Sequence, residues 1–177
     1  MTTLIEKAVA FATDAHKGQF RKWGSKDPFI SHPLRVFEAV AKLLPYNDDA
    51  QVAAILHDTV EDCEGITHKE ICAEFGWEVS LLVWELTNPS IKKKELSRFM
   101  RKALDREHIG RASLEAQIIK ACDRIDNLKS MDGALIDFKR LYGHESLLLA
   151  DVLNKIPDYL FNDLVSEAES LLLNGQK

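Results

Sequence analysis

A chain of 177 residues, 46% hydrophobic and 29% charged, has the size and composition of one globular domain with a sizeable core. Its formal charge of −5 argues against a general nucleic-acid binder or a binder of anionic membranes, so a phosphate ligand needs a local basic patch or a cation. Cys63, Cys72 and Cys122 are odd in number without CxxC spacing, MTTLIEKAVAF is no secretory signal, and no apolar run reaches membrane-spanning length, so the expected compartment is the cytoplasm.

Leu4, Ile5, Ala8, Phe11, Ala12 and Ala15 form an i, i+3/i+4 stripe that predicts a helix from about Thr3 to His16, closed by Gly18. The loop QFRKWGSKDPFI follows, rich in Gly, Pro and basic residues. Pro33 opens a second helix through Leu34, Val36, Phe37 and Val40 to Leu44, and Pro45 ends it. Asn47–Asp49 caps a third helix, which carries AAILHDTVED. Thr67, with Glu70 as capping-box partner, starts a short helix that Gly76 stops, and Trp77–Leu86 forms another that ends at Asn88-Pro89. Lys92 to Arg106 reads as a basic, solvated helix broken at His108-Ile109-Gly110-Arg111. Ser113 to about Met131 resumes the pattern, and Leu135 to Leu173 gives one or two helices interrupted near Gly143 and Pro157. No period-2 strand, internal repeat or linker is visible. The expected architecture is all-α, a single domain over residues 1–177 with its tryptophans in the core.

The third helix poses the functional question. Val52, Ile55, Leu56 and Val60 mark it as a core helix, yet His57, Asp58, Glu61 and Asp62 lie within it. Buried charge is costly unless it is paired or holds a metal. On one continuous helix His57 stacks over Glu61 and Asp58 over Asp62, which puts all four side chains on one side. His32 stands just before Pro33 at a helix entrance, and Asp123 and Asn127, in KACDRIDN, share a face one turn apart. His32, His57, Asp58 and Asp123 make a mixed nitrogen and oxygen set that suits Mn, Fe, Ni, Co or Zn and leaves positions open for water and a phosphate oxygen. Glu61 and Asp62 are then placed to orient that water, shuttle its proton or protonate a leaving group. The plainer roles are a helix cap for His32, an ion pair with Lys120 or Arg124 for Asp123, a helix bridge for Asn127 and a bond to a helix-end carbonyl for His16.

GQFRKWGSKDPFISHPLRV, HDTVED, FGWEVSLLVWELT and DRIDNL, in that order, resemble the HD-domain phosphohydrolases. Within them the chain is most similar to the hydrolase domain of RelA/SpoT-type enzymes and to the stand-alone small alarmone hydrolases, over roughly its first three quarters. The resemblance implies an HD-type helical bundle, a manganese ion, and removal of the 3′-pyrophosphate from guanosine tetra- or pentaphosphate (ppGpp, pppGpp), with GDP or GTP as product. Carried over residue by residue, it makes His32, His57, Asp58 and Asp123 the metal ligands and Glu61 and Asp62 the catalytic pair. Arg21 and Lys22 match residues beside the purine base, Asn127 matches a substrate-contacting asparagine, and Ser130 falls one turn further along that helix. The partner is thus a purine nucleotide bearing a pyrophosphate; the pattern sets no oligomeric state. Phe29 stands where the family often has Tyr, and Trp23 enlarges the basic loop. Other HD-type nucleotide phosphohydrolases (a deoxynucleotide 5′-phosphatase, a nucleotide pyrophosphatase) and a catalytically silent nucleotide-binding HD module are the alternatives, and the intact ligand and acidic sets favour an enzyme.

Overall fold

A computed structural model of the chain describes residues 3–23 and 26–173; Gly24 and Ser25 of the basic loop, and the ends of the expected 1–177 domain, lie outside them. Among the described residues there are ten helices and no strand beyond an isolated bridge between Phe20 and Pro28. They divide into two compact units, one formed by the chain up to Lys22 and from Lys26 to Asn88, the other by Trp23 and the chain from Pro89 onward. No helix among them is long and apolar enough to cross a membrane.

The first unit holds α1 (Leu4–Ala15), α2 (Ser31–Leu43), α3 (Asp48–Leu56), α4 (Thr59–Asp62), α5 (His68–Phe75) and α6 (Trp77–Leu86). Local chemistry sets most of these ends. Thr3 Oγ1 accepts from the Glu6 N–H and Glu6 returns a bond to the Thr3 N–H, a full capping box on α1. Thr67 accepts from the Glu70 N–H on α5, but Glu70 does not return the bond, so only half of the expected box forms there. Pro33 lies in the first turn of α2, where its missing N–H costs nothing. Asn47 caps α3, whose residues Ala50 to Leu56 are buried without a break. With no solvated face, α3 is the centre of this unit, packed by α1, α2 and α6.

The single helix expected to carry His57 through Asp62 is two. α3 ends at Leu56 and α4 begins at Thr59, with His57 and Asp58 in a turn between them. Side chains take the carbonyls here: His57 Nδ1 donates to the Ala54 carbonyl at 2.8 Å and Thr59 Oγ1 to that of Leu56 at 2.7 Å. Such local side-chain bonds compete with the helical ladder and break it where they gather. Trp77 and Trp84 also depart from expectation. They are 62% and 53% exposed on α6, so neither belongs to the core.

The second unit holds α7 (Arg98–Arg111), α8 (Leu114–Lys129), α9 (Ile136–Ala150) and α10 (Asp158–Leu173). The basic helix expected from Lys92 starts six residues later, at the cap formed by Ser97, which accepts from the Met100 N–H. It then runs through Gly110, because that glycine lies against Val152, whose Cβ would stand 3.3 Å from an added Cβ. Gly143 likewise does not interrupt α9. It is buried against α10, where a Cβ would meet the Ala168 carbonyl oxygen and a Leu172 methyl, each at 3.0 Å. Both glycines serve close helix contact rather than chain reversal. Gly143→Ala is therefore expected to destabilise the protein by about 1–2 kcal/mol, overpacking outweighing the gain in helix propensity. A urea midpoint equal to or above that of the wild type would contradict this. Polar pairs stitch the unit together: Arg98 bridges both oxygens of buried Glu145 at 2.7 and 2.8 Å, and Arg124 lies over the Tyr142 ring while donating to Ser146.

Candidate metal centre and active site

In the first unit three expected ligands meet. His32 enters from the first turn of α2, and His57 and Asp58 come from the turn that ends α3. Both imidazoles are buried, with ring centroids 5.2 Å apart. Asp58 Oδ2 lies 3.1 Å from His57 Nε2 and 3.6 Å from His32 Nε2. The Ala54 carbonyl accepts from His57 Nδ1, so Nδ1 carries a proton and Nε2 is the ring nitrogen that faces the carboxylate. Donor atoms that share a small divalent ion at about 2.1 Å each stand about 3.0 to 3.4 Å from one another, depending on geometry. The 3.1 Å spacing falls within that range and the 3.6 Å spacing just beyond it, and the imidazole and carboxylate chemistry suits a borderline transition metal.

Glu61 and Asp62 follow directly on α4. Glu61 accepts from the backbone N–H of Asn88 and, at 3.1 Å, from its side-chain amide, so both carboxylate oxygens are held. Asp62 projects outward, but partial desolvation first, and the like charge of Asp58 second, push its carboxyl above the usual range; His16 and Lys22 pull the other way. Its backbone carbonyl accepts from Gln19 Nε2 at 2.9 Å. His16 bonds Gln19 Oε1 at 2.9 Å and lies 3.3 Å from Cys63 Sγ, rather than reaching a helix-end carbonyl through its ring as expected. Desolvation, then the charge of Asp62, raises the Cys63 thiol to about 11, and burial raises Cys122 to about 12. Thiols so hard to ionise are poor nucleophiles and poor ligands.

The basic loop is pinned at its base by the Phe20–Pro28 bridge and by bonds from the Arg21 N–H to the Asp27 carbonyl and from the Phe29 N–H to that of Gln19. This puts the Arg21 guanidinium 5.8 Å over the Phe29 ring, which packs edge-on against His32 at 5.9 Å. Arg21 thus reaches the ligand cluster through one aromatic ring, while exposed Lys22 acts electrostatically on Asp62.

In the second unit Asp123 is buried on α8, with Lys120 Nζ on Oδ2 at 2.9 Å and Asn127 Nδ2 on Oδ1 at 2.6 Å. The ion pair with Lys120 and the helical spacing of Asp123 and Asn127 are both as expected. Ser130 ends α8 and donates to the Asp126 carbonyl at 2.8 Å. Sequence reasoning missed Asn88 and Gln19. Asn88 was visible only as a helix stop before Pro89, and Gln19 as a polar residue after Gly18.

Among the described residues, a helical fold with two buried imidazoles converging on a carboxylate defines a helical protein with a candidate divalent-metal site. The chain belongs to the HD-domain family, whose profile matches residues 8–149. It is 39% identical over 129 residues to the guanosine-3′,5′-bis(diphosphate) 3′-pyrophosphohydrolase MESH1 of Xenopus tropicalis, covering 72% of this chain and 69% of that one. The zebrafish (Danio rerio) protein of the same name is 32% identical, over 74% of this chain and 71% of that one. The GTP pyrophosphokinase rsh of Brucella melitensis is 34% identical over 78% of this chain, which spans only 18% of that larger protein. Among solved structures, that of a metazoan ortholog of SpoT described as hydrolysing ppGpp superposes with a TM-score of 0.80 at 23% identity, covering 99% and 97% of the two chains, which shows the shared fold. The Listeria monocytogenes protein lmo0812 superposes with a TM-score of 0.62 at 27% identity, over 80% of this chain and 99% of that one.

Proposed function

We infer that this chain is a divalent-metal-dependent phosphohydrolase that removes the 3′-pyrophosphate from ppGpp and pppGpp, leaving GDP or GTP. The observation that carries this reading is the His32, His57 and Asp58 cluster with Glu61 and Asp62 one turn beyond it, in a chain 39% identical to a named ppGpp 3′-pyrophosphohydrolase. Asp123, buried and oriented by Lys120 and Asn127, is proposed as the fourth ligand, and a single HD-type domain over residues 1–177 is the proposed organisation, supported by the family profile spanning 8–149. Manganese is the proposed ion. When bound, a divalent cation supplies an activated water and neutralises phosphoryl charge.

In the reaction, water adds to the phosphorus attached to O3′, the P–O3′ bond breaks, and O3′ takes up a proton as pyrophosphate leaves. Glu61, an oriented carboxylate, aligns the water and accepts its proton. Asp62, with its raised carboxyl, is suited to hand a proton to O3′. Arg21 offers a planar cation to a purine face and Lys22 a point charge to phosphate. Asn127 and Ser130 are the proposed contacts to the ribose or phosphates. Neither nucleic acid nor membrane is a proposed partner, and three cysteines outside any disulfide agree with a place in the cytoplasm.

Purified protein with Mn²⁺ is expected to release pyrophosphate from ppGpp faster than it releases phosphate from deoxynucleoside monophosphates. Equal or faster turnover of the monophosphates would replace this reading with that of a deoxynucleotide 5′-phosphatase, and binding of ppGpp without turnover with that of a silent module.

A further inference from the structure

We propose that Asn88 is a positioning residue for the reaction: it holds the Glu61 carboxylate in one orientation, and so ties the end of α6 to the catalytic turn. The proposal rests on the reading of Glu61 given above and adds a residue to it. Its origin is local. Proline disfavours helical backbone in the residue before it, and α6 ends at Leu86, with Thr87 as its C-cap immediately before Asn88-Pro89. The Thr87 N–H still bonds the Val83 and Trp84 carbonyls, and the Thr87 hydroxyl also donates to Val83. The next N–H, that of Asn88, is turned out of the helix and goes instead to Glu61 Oε1.

The Asn88 side-chain amide adds a second bond, to Glu61 Oε2 at 3.1 Å. Backbone and side chain of a single residue thus grip the two oxygens of one carboxylate across 27 positions of sequence. A carboxylate held by a donor on each oxygen loses rotation about its last torsion. That restraint suits a group that aligns water, since a small misplacement of such a group is costly in rate. The clamp acts on Glu61 alone and touches none of the proposed metal ligands, so metal affinity and turnover should separate.

Substitution leaves the backbone bond in place and removes only the amide. For Asn88→Ala, kcat on ppGpp is expected to fall about 10-fold, with KM, bound metal and thermal midpoint near those of the wild type. In a Glu61→Gln background the same substitution should cost less than 2-fold, because the residue it acts through is already disabled. Three results would each overturn the clamp: an unchanged kcat in Asn88→Ala, an equal loss in both backgrounds, or a fall in kcat matched by a fall in thermal midpoint. If the wild-type chain turns over another nucleotide and not ppGpp, the substrate reading fails, and the same four-protein comparison on that nucleotide still decides the clamp. A Glu61→Gln protein as active as the wild type would overturn both.

Discussion

Asp58→Ala is expected to purify without bound metal and to lose pyrophosphohydrolase activity by at least about 10³-fold, the two losses occurring together. Asp58 Oδ2 faces both His57 Nε2 and His32 Nε2, at 3.1 and 3.6 Å, so the variant removes the anionic donor from the centre of the cluster. On the proposed ligand set, two imidazoles and Asp123 alone hold a divalent ion less well than the same set with the Asp58 carboxylate. The local fold should survive. The contribution of Asp58 to α4 is its backbone carbonyl, which accepts from the Asp62 N–H at 2.9 Å, and alanine keeps that bond. Metal analysis and thermal melts check the point independently of turnover. Mn²⁺ should raise the melting temperature of the wild type and leave that of the variant unchanged, because only a protein that binds the ion is stabilised by it. A variant that retains metal yet is inactive would move Asp58 from ligand to catalyst.

Much of this site was legible in the sequence because its parts are local. The caps at Asn47 and Thr67, and Pro33 in a first turn, each depend on a few neighbouring residues and appear where the spacing places them, and the helices expected from about Thr3 and from Ser113 begin just after those residues. The stops at Gly18 and Gly76 have the positive φ that favours glycine. What failed depends either on contacts across the fold or on local side-chain bonds that hydrophobic periodicity does not report. Gly110 and Gly143 look like breakers until Val152 and Ala168 are seen against them. The run from Lys92 to Arg106 is composed mainly of good helix formers, which masks Ser97 as the true cap. His57 and Asp58 keep the periodicity of a continuous helix while His57 and Thr59 divert two of its carbonyls. The grip of Asn88 on Glu61 joins residues 27 positions apart, which no local pattern reports.

Glu61→Ala should give the opposite dissociation from Asp58→Ala: wild-type metal content with turnover reduced about 10²- to 10⁴-fold. The difference follows from where the oxygens point. Oδ2 of Asp58 faces two imidazoles, whereas both oxygens of Glu61, one turn further along the chain, are engaged by Asn88. The substitution removes a carboxylate that aligns the reacting water and takes its proton, and leaves the cluster of His32, His57 and Asp58 intact. Stability should change little, since Asn88 is half-buried and water can reach the donors that Glu61 vacates. Glu61→Gln sharpens the comparison, because it preserves volume while removing charge. If charge is what Glu61 contributes, Gln should be nearly as slow as Ala. If Glu61 serves only as an anchor for Asn88, Gln should restore most of the activity. Metal content measured beside kcat in both variants separates these outcomes, and full activity in Glu61→Ala would remove the residue from the mechanism.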